Sequence, residues 1–150
     1  MAFSASAQTA QVDFFEVTAP ADAVVVIHSW WLGQITEVAD AAEEQLLVLT
    51  KSGATTTGTG GTTPTPVPLH FGDAAFGGVV DYANTTKATS GTIVTHEAHA
   101  WNVRTPLLQI YTPETRPVLS PSRRWTLELA TTPADSITFN GTIIFEEVGG

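Results

Sequence analysis

Hydrophobic and polar residues alternate over short stretches of this chain, and a period of two predicts β-strands. The clearest stretch is "SITFNGTIIFEEV" at residues 136–148. Its apolar parity comprises Ile137, Phe139, Ile143 and Phe145. The alternation passes through Asn140 and Gly141 without changing parity, whereas a two-residue hairpin turn would start a new strand there. We therefore predict one long strand with a bend or bulge at Gly141.

Seven further stretches have the composition of strands. "RRWTLELA" at residues 123–130 alternates, with Trp125, Leu127 and Leu129 predicted inward and the polar Thr126 and Glu128 outward. "AVVVIHSWWL" is almost continuously apolar, which is typical of a central strand covered on both faces. "QLLVLTK", which starts at Gln45, has the same character. Weaker candidates, each bounded by turn-forming residues, lie at residues 12–17, 78–84, 92–103 and 106–112.

The strongest helical signal is "ITEVADAAEEQ" at residues 35–45, but its apolar stripe is thin and we predict a loop or a single helical turn. About eight short strands without a convincing helix between them favour antiparallel pairing, because parallel pairing needs long crossovers. The sequence therefore predicts an all-β fold with a single domain over residues 1–150. We expect an antiparallel, jelly-roll-like β-sandwich of about eight strands.

Charge and composition limit the partners. Six Lys and Arg against fifteen Asp and Glu give a net charge of −9, which disfavours nucleic acid and anionic membranes. The chain has no cysteine, so disulfides and thiolate chemistry are absent. The N-terminal residues lack the pattern of a secretory signal and no long apolar run occurs, so we expect a soluble protein made inside a cell.

One stretch is unusual for a small protein. "SGATTTGTGGTTPTPVP" at residues 52–68 has four Gly, seven Thr, three Pro and no charge. Connections of this length inside compact proteins are mostly functional or disordered. Pro64, Pro66 and Pro68 favour an extended conformation. We interpret the stretch as a loop or arm that contacts another subunit, the alternative being a surface loop without a partner.

The sequence offers little catalytic chemistry. His96 and His99 are three residues apart, so on a strand they would point to opposite faces and would not share a metal ion. No Gly-x-Ser-x-Gly motif and no phosphate-binding loop is present. We therefore predict no enzyme, no metal and no cofactor, and a cupin-like metalloenzyme or a hydrolase is the least favoured class.

Two residue pairs are candidates for contacts. Trp30 and Trp31 are adjacent on a predicted strand, so one of them should face outward, where Trp31 would stack on a sugar or anchor a protein interface. Burial of both rings in the core is the alternative. Arg123 and Arg124 carry a third of the basic charge and would meet an acidic neighbouring copy, or simply lie solvated at the start of a strand.

Several stretches together resemble a known class of proteins. They are "DFFEVTAP" with "DAVVVIHSWWLGQ", "GATTTGTGGTTPTPVPL" with "GDAAFGG", "NTTKATSGT", "RPVLSPSRRWTLEL" and "PADSITFNGTIIFEEVGG". The chain resembles small β-rich virion proteins of tailed bacteriophages and prophages, of the capsid decoration or cement type. The resemblance spans nearly the whole chain but rests on strands and turns, and no active-site motif accompanies it.

The resemblance implies a binding protein. Such a protein is made in the cytoplasm of the host bacterium, binds the outside of the capsid and bridges neighbouring major capsid proteins. It implies a symmetric homo-oligomer, for which we expect a trimer rather than a dimer, and no nucleic-acid or membrane partner. The alternative hypothesis is a carbohydrate-binding module or a fibre or tail-tip domain for host attachment.

Overall fold

A computed structural model describes residues 2–36 and 44–149, and throughout these residues the regular structure is β-strand. The strands are β1 (Ala2–Gln8), β2 (Val12–Thr18), β3 (Val24–Gln34), β4 (Gln45–Ala54), β5 (Val79–Asn84), β6 (Val94–Asn102), β7 (Leu107–Ile110), β8 (Val118–Leu119), β9 (Arg124–Leu129) and β10 (Ile137–Val148). Most of the helical candidate at residues 35–45 lies outside the described residues.

The strands form two antiparallel five-stranded sheets. Sheet A has the order β1-β10-β3-β7, with β8 also pairing with β3, and sheet B has the order β5-β2-β9-β4-β6. Apart from β5 and β8, the chain alternates between the two sheets from β1 to β4. Strand β6 then stays in sheet B with β4, and the alternation resumes from β6 through β7 and β9 to β10. This is the strand order of a jelly roll. The predicted all-β antiparallel sandwich is confirmed.

All eight predicted strands are present, and the structure adds two. The first, β1, pairs with β10 at one edge of sheet A, and the second, β8, is a two-residue strand beside β3. Neither has a strong alternating pattern of large apolar residues, because β1 contains small residues and β8 is short. Within residues 2–36 and 44–149 the sandwich therefore has ten strands where about eight were expected.

The inner faces of the two sheets share one hydrophobic core. Its largest fully buried side chains include Trp30, Trp101 and Trp125, and each comes from a different strand. Phe139 of β10 lies 5.0 Å from the ring of Phe14 and 5.6 Å from that of Trp101. Aromatic contacts in tilted and edge-on geometry thus join the two sheets across the core.

The strand β10 runs without interruption from Ile137 to Val148, as predicted, but its irregularity lies elsewhere. Gly141 pairs in register with Leu32 on one side and Phe3 on the other. The register shifts instead between Ile144 and Phe145, where β3 has one additional residue. The predicted bulge at Gly141 is therefore wrong, since the extra residue belongs to the partner strand.

Two predictions about covered faces are also wrong. The outer face of β3 is only half-buried, and Trp31 on that face is 37% exposed. Thr126 and Glu128 of β9 were expected to face solvent, but both are buried. Both outcomes have the same cause. Chain segments cover the outer face of sheet B, which buries Thr126 and Glu128, and they leave the outer face of β3 in sheet A partly exposed.

Candidate functional site

Residues 52–68 divide into three parts in the structure. Ser52 to Ala54 complete β4. Residues 55–63, called the covering segment here, lie along residues 82–89 of the same chain. They are held by backbone hydrogen bonds from the amides of Thr56, Thr59 and Thr62 to the carbonyls of Thr89, Thr86 and Tyr82 at 2.9, 2.8 and 3.0 Å. Only residues 64–68 of the predicted arm therefore extend beyond this internal pairing.

A buried carboxylate anchors the covering segment to sheet B. Glu16 of β2 is fully buried, and its Oε2 accepts hydrogen bonds from the amide of Gly58 at 2.8 Å and from Nδ2 of Asn84 at 3.0 Å. Gly58 has to be glycine here, because an added Cβ would lie 2.6 Å from the carbonyl oxygen of Thr86. Burial raises the pKa of Glu16, and the bond from Gly58 opposes that rise.

Arg124 completes this anchor. Its Nε lies 3.3 Å from Oε1 of Glu16, its Nη2 donates to Oγ1 of Thr57 at 2.7 Å and its Nη1 donates to the carbonyl of Thr55 at 2.9 Å. Arg123 is exposed and lines a shallow pocket with Val118. Of the two arginines predicted as interface residues, the structure places Arg124 in an internal contact and leaves Arg123 at the surface.

A second buried acid lies nearby on β2. Asp13 is 1% exposed, and its Oδ2 accepts a hydrogen bond from the amide of Ala88 at 2.8 Å. Burial raises the pKa of Asp13 to about 7. Glu128, directly opposite on β9, accepts from Lys51 at 2.5 Å and from Lys87 at 2.8 Å. Sequence reasoning missed these acids as buried groups, because Asp13 and Glu16 are three residues apart and a regular strand would place them on opposite faces. The register of β2 against β9 shifts between Asp13 and Phe15, which the sequence did not indicate.

Beyond the covering segment, the chain presents apolar side chains to solvent. We call residues 64–76 the apolar loop. Val67 is 77% exposed, Leu69 is 84% exposed and Phe71 is fully exposed. Pro64 and Pro66 are half-buried, and Pro68 is exposed. The backbone bends at Leu69 and turns at Phe71, so the three exposed apolar residues do not form the face of a regular strand.

Sheet A carries a second apolar surface on its outer face. Trp31 lies directly across from Leu108 of β7, which is 58% exposed, and Ile110 of β7 lies across from Ser29 and is 69% exposed. We call Trp31, Leu108 and Ile110 the outer patch. Trp30, the neighbour of Trp31, is fully buried and donates a hydrogen bond to the hydroxyl of Tyr111 at 3.1 Å. The prediction that one tryptophan faces outward is confirmed.

The four histidines lie in four different environments. Their nearest polar partners are Glu146 for His28, Asp73 for His70, Ser52 for His96 and Glu97 for His99. Within residues 2–36 and 44–149, no group of three or more His, Asp or Glu side chains is arranged to hold a metal ion.

A polar network that the sequence did not reveal joins the two sheets. Glu97 of β6 accepts hydrogen bonds from the hydroxyls of Tyr111 at 2.6 Å and Thr50 at 3.2 Å. Burial, with the adjacent Glu97 carboxylate, raises the pKa of Tyr111, so the phenol remains a donor. Because Tyr111 also accepts from Trp30, the network links the core to the edge strand β6. Its bonds are internal, and we interpret it as structural.

No family model, no curated protein and no solved structure matches this chain. In the part of the chain that the structure describes, no helix is long and apolar enough to cross a membrane. The apolar loop and the outer patch are therefore the candidate functional surfaces of the protein.

Proposed function

We propose that the protein is a non-enzymatic virion structural protein, a capsid decoration or cement protein that binds the outer capsid surface. In this role it bridges neighbouring major capsid proteins after synthesis in the cytoplasm of the host bacterium. The observation that carries the proposal is the exposure of large apolar side chains on the apolar loop. Contiguous exposed apolar surface is typical of interaction sites.

The apolar loop is held at both ends, which suits a docking element. Before the loop, the covering segment is bonded to Glu16 and Arg124. At its end, the ring of Phe76 packs edge-on against Phe145 at 4.8 Å, and the amide of Gly77, the next residue, donates to Oε2 of Glu147 at 2.8 Å. A loop that is already positioned loses less conformational entropy on binding than a free arm does.

Charge supports contact through apolar rather than ionic groups. A net charge of −9 makes copies repel one another, whereas Trp31, Leu108 and Ile110 are uncharged. We propose that the outer patch forms the contact between copies in a homo-oligomer, with a trimer expected rather than a dimer. Closed cyclic symmetry would bury the patch of every copy.

The test uses virions of the phage or prophage that encodes the chain. We expect the protein in purified particles and on their outer surface, and we expect the recombinant protein to co-sediment with particles that lack it. The variant Leu69→Ser with Phe71→Ser should bind more than tenfold more weakly, because buried aromatic anchors dominate binding energy. Ile35→Ser, which removes an exposed apolar residue elsewhere, is the control. Absence of the protein from purified particles would refute the proposal.

The partly exposed ring of Trp31 favours the second candidate, carbohydrate binding for host attachment. An aromatic ring on a sheet face can stack on a sugar. A glycan array should then give a signal that Trp31→Ala abolishes and that Val118→Ala, on the neighbouring strand β8, leaves intact. An array without signal would leave the virion role as the supported one.

A further inference from the structure

A groove of about 570 Å³ separates the apolar loop from the end of β10. Leu69 and Ala75 contribute to the loop side, and Ile144 and Gly149 contribute to the opposite side. The volume lies within the range of sites that hold small ligands, so a few residues of a peptide would fill it. Ile144 also lies across β3 from the outer patch, because Ser29 pairs with both Ile144 and Ile110.

The charged side chains that line the groove are acidic. They are Asp73, Glu146 and Glu147, and among the residues that the structure describes no lysine or arginine lines it. Glu146 and Asp73 each have a histidine beside them, with His28 Nε2 at 3.0 Å and His70 Nδ1 at 3.4 Å. Glu146 and Asp73 are mostly exposed, so their carboxylates are available to a ligand. The groove is therefore lined by apolar side chains, called its walls here, and by three carboxylates, called its rim.

This combination selects one kind of occupant. An anionic ligand would be repelled by the three carboxylates. A second copy of this chain fits poorly, because it carries fifteen acidic and only six basic residues. Lys51, Lys87 and Arg124 are among the basic residues that are already bonded within the chain. An apolar side chain flanked by lysine or arginine satisfies both the walls and the rim.

We propose that the groove between the apolar loop and β10 binds an extended segment of a partner protein that carries apolar and basic side chains. The inference rests on the proposed function for the identity of that partner, the major capsid protein. The chemistry of the segment comes from the groove itself. The apolar residues occupy the space beside Leu69 and Ile144, and the basic residues pair with Glu146 and Asp73.

The probe is a short synthetic peptide of alternating leucine and lysine, with a leucine-glutamate peptide of the same length as its control. We expect NMR resonances of Leu69, Ile144 and Gly149 to shift with the lysine peptide and not with the glutamate peptide. Binding should weaken as salt rises from about 50 to 300 mM, because exposed ion pairs are screened. Equal shifts with both peptides, or shifts confined to another surface, would overturn the proposal.

Substitutions locate the acidic rim. Asp73→Asn with Glu146→Gln should weaken peptide binding by about four- to twenty-fivefold, at two- to fivefold for each exposed carboxylate. Asp135→Asn removes an exposed acid just before the opposite end of β10 and should leave binding unchanged. Circular dichroism confirms that each variant is folded. Undiminished binding by the folded double variant would overturn the assignment of the groove.

The peptide assay and the particle assay fail separately. A protein that binds the lysine peptide in the groove but is absent from particles would refute the virion role and leave the groove assignment standing. A protein that binds particles but shows no peptide shifts at Leu69 and Ile144 would overturn the groove assignment alone.

Discussion

Arg124 and Glu16 form an ion pair beneath the covering segment, with Nε of Arg124 3.3 Å from Oε1 of Glu16. Glu16 is fully buried and the Arg124 side chain is 14% exposed. The same two side chains bond the covering segment at Gly58 and Thr57. The pair therefore joins β2, the adjacent strand β9 and the covering segment, which lies about forty positions after Glu16 in the sequence.

Replacing Arg124 should destabilise the fold far more than replacing its neighbour. Arg124→Met leaves the Glu16 carboxylate buried without its cation, so we expect the free energy of unfolding to fall by about 3 kcal/mol. Arg123→Met should change it by less than about 0.5 kcal/mol, because Arg123 is exposed. Urea denaturation at pH 7 measures both. Equal losses in the two variants would contradict the internal role of Arg124.

Asp13 makes stability depend on pH. Burial raises its pKa from 3.8 to about 7, so the folded protein holds the Asp13 proton more tightly than the unfolded chain does. Its contribution is therefore fully present below about pH 4 and is lost as pH rises to about 7, by up to about 4 kcal/mol. Glu16, whose pKa is also raised by burial, acts in the same direction.

The test of this dependence is Asp13→Asn. Its amide oxygen can still accept the hydrogen bond from Ala88, but it does not titrate. Between pH 4 and pH 7, unfolding free energies from urea titrations should fall less steeply in Asp13→Asn than in the unaltered protein. Asp135→Asn, at an exposed site, should keep the original slope. Parallel curves for Asp13→Asn and the unaltered protein would show that Asp13 does not titrate as described.

The adjacent tryptophans should separate stability from binding. Trp30→Ala removes a fully buried ring and should cost about 3 to 5 kcal/mol of unfolding free energy. Trp31→Ala should cost less than about 1 kcal/mol, because its ring is partly exposed. If the outer patch joins copies of the chain, light scattering after size exclusion should show that Trp31→Ala shifts the oligomer toward monomer. A purely structural Trp31 would leave the measured mass unchanged.

Gly58 tests the attachment of the covering segment. A methyl group at Gly58 would lie 2.6 Å from the carbonyl oxygen of Thr86 and 2.9 Å from Oε2 of Glu16, so Gly58→Ala should force the segment away from sheet B. We expect hydrogen exchange at the amides of Thr56 and Thr59 to accelerate by at least tenfold, since their bonds would open locally.

The control for this variant is Gly72→Ala in the apolar loop. No atom lies within 4 Å of the added methyl group at Gly72, although its φ of +102° adds local strain. Exchange at the two threonine amides should therefore be unchanged in Gly72→Ala. Unaltered exchange in Gly58→Ala would contradict the tight packing at Gly58.

Local alternation predicted the strands well, since the side chains of neighbouring residues must point to opposite faces of any sheet. The pattern from Ile137 to Val148 gave one long strand, and the adjacent tryptophans gave one inward and one outward ring. The same pattern was wrong about Thr126 and Glu128, which are polar but buried. Alternation identifies the two faces of a strand but contains no information about what lies over the outer one.

The candidate site depended more strongly on tertiary structure. Arg123 and Arg124 are adjacent residues of the same type, so the sequence does not distinguish them. Only Arg124 lies on the face of β9 that contacts the covering segment. Residues 52–68 have a uniform composition in the sequence. In the structure the buried carboxylate of Glu16 binds the covering segment, whereas residues 64–68 belong to the apolar loop.

The sequence alone determined the fold class, the positions of eight strands and the acidic, cysteine-free character of the chain, because these depend on composition and on neighbouring residues. Tertiary structure decided which sheet face is covered, which polar groups are buried and which apolar side chains remain exposed. These features depend on contacts between residues far apart in the chain, such as the bond from Gly58 to Glu16. Such contacts form only once strands and segments that are distant in sequence have come together, as β2, β9 and the covering segment do.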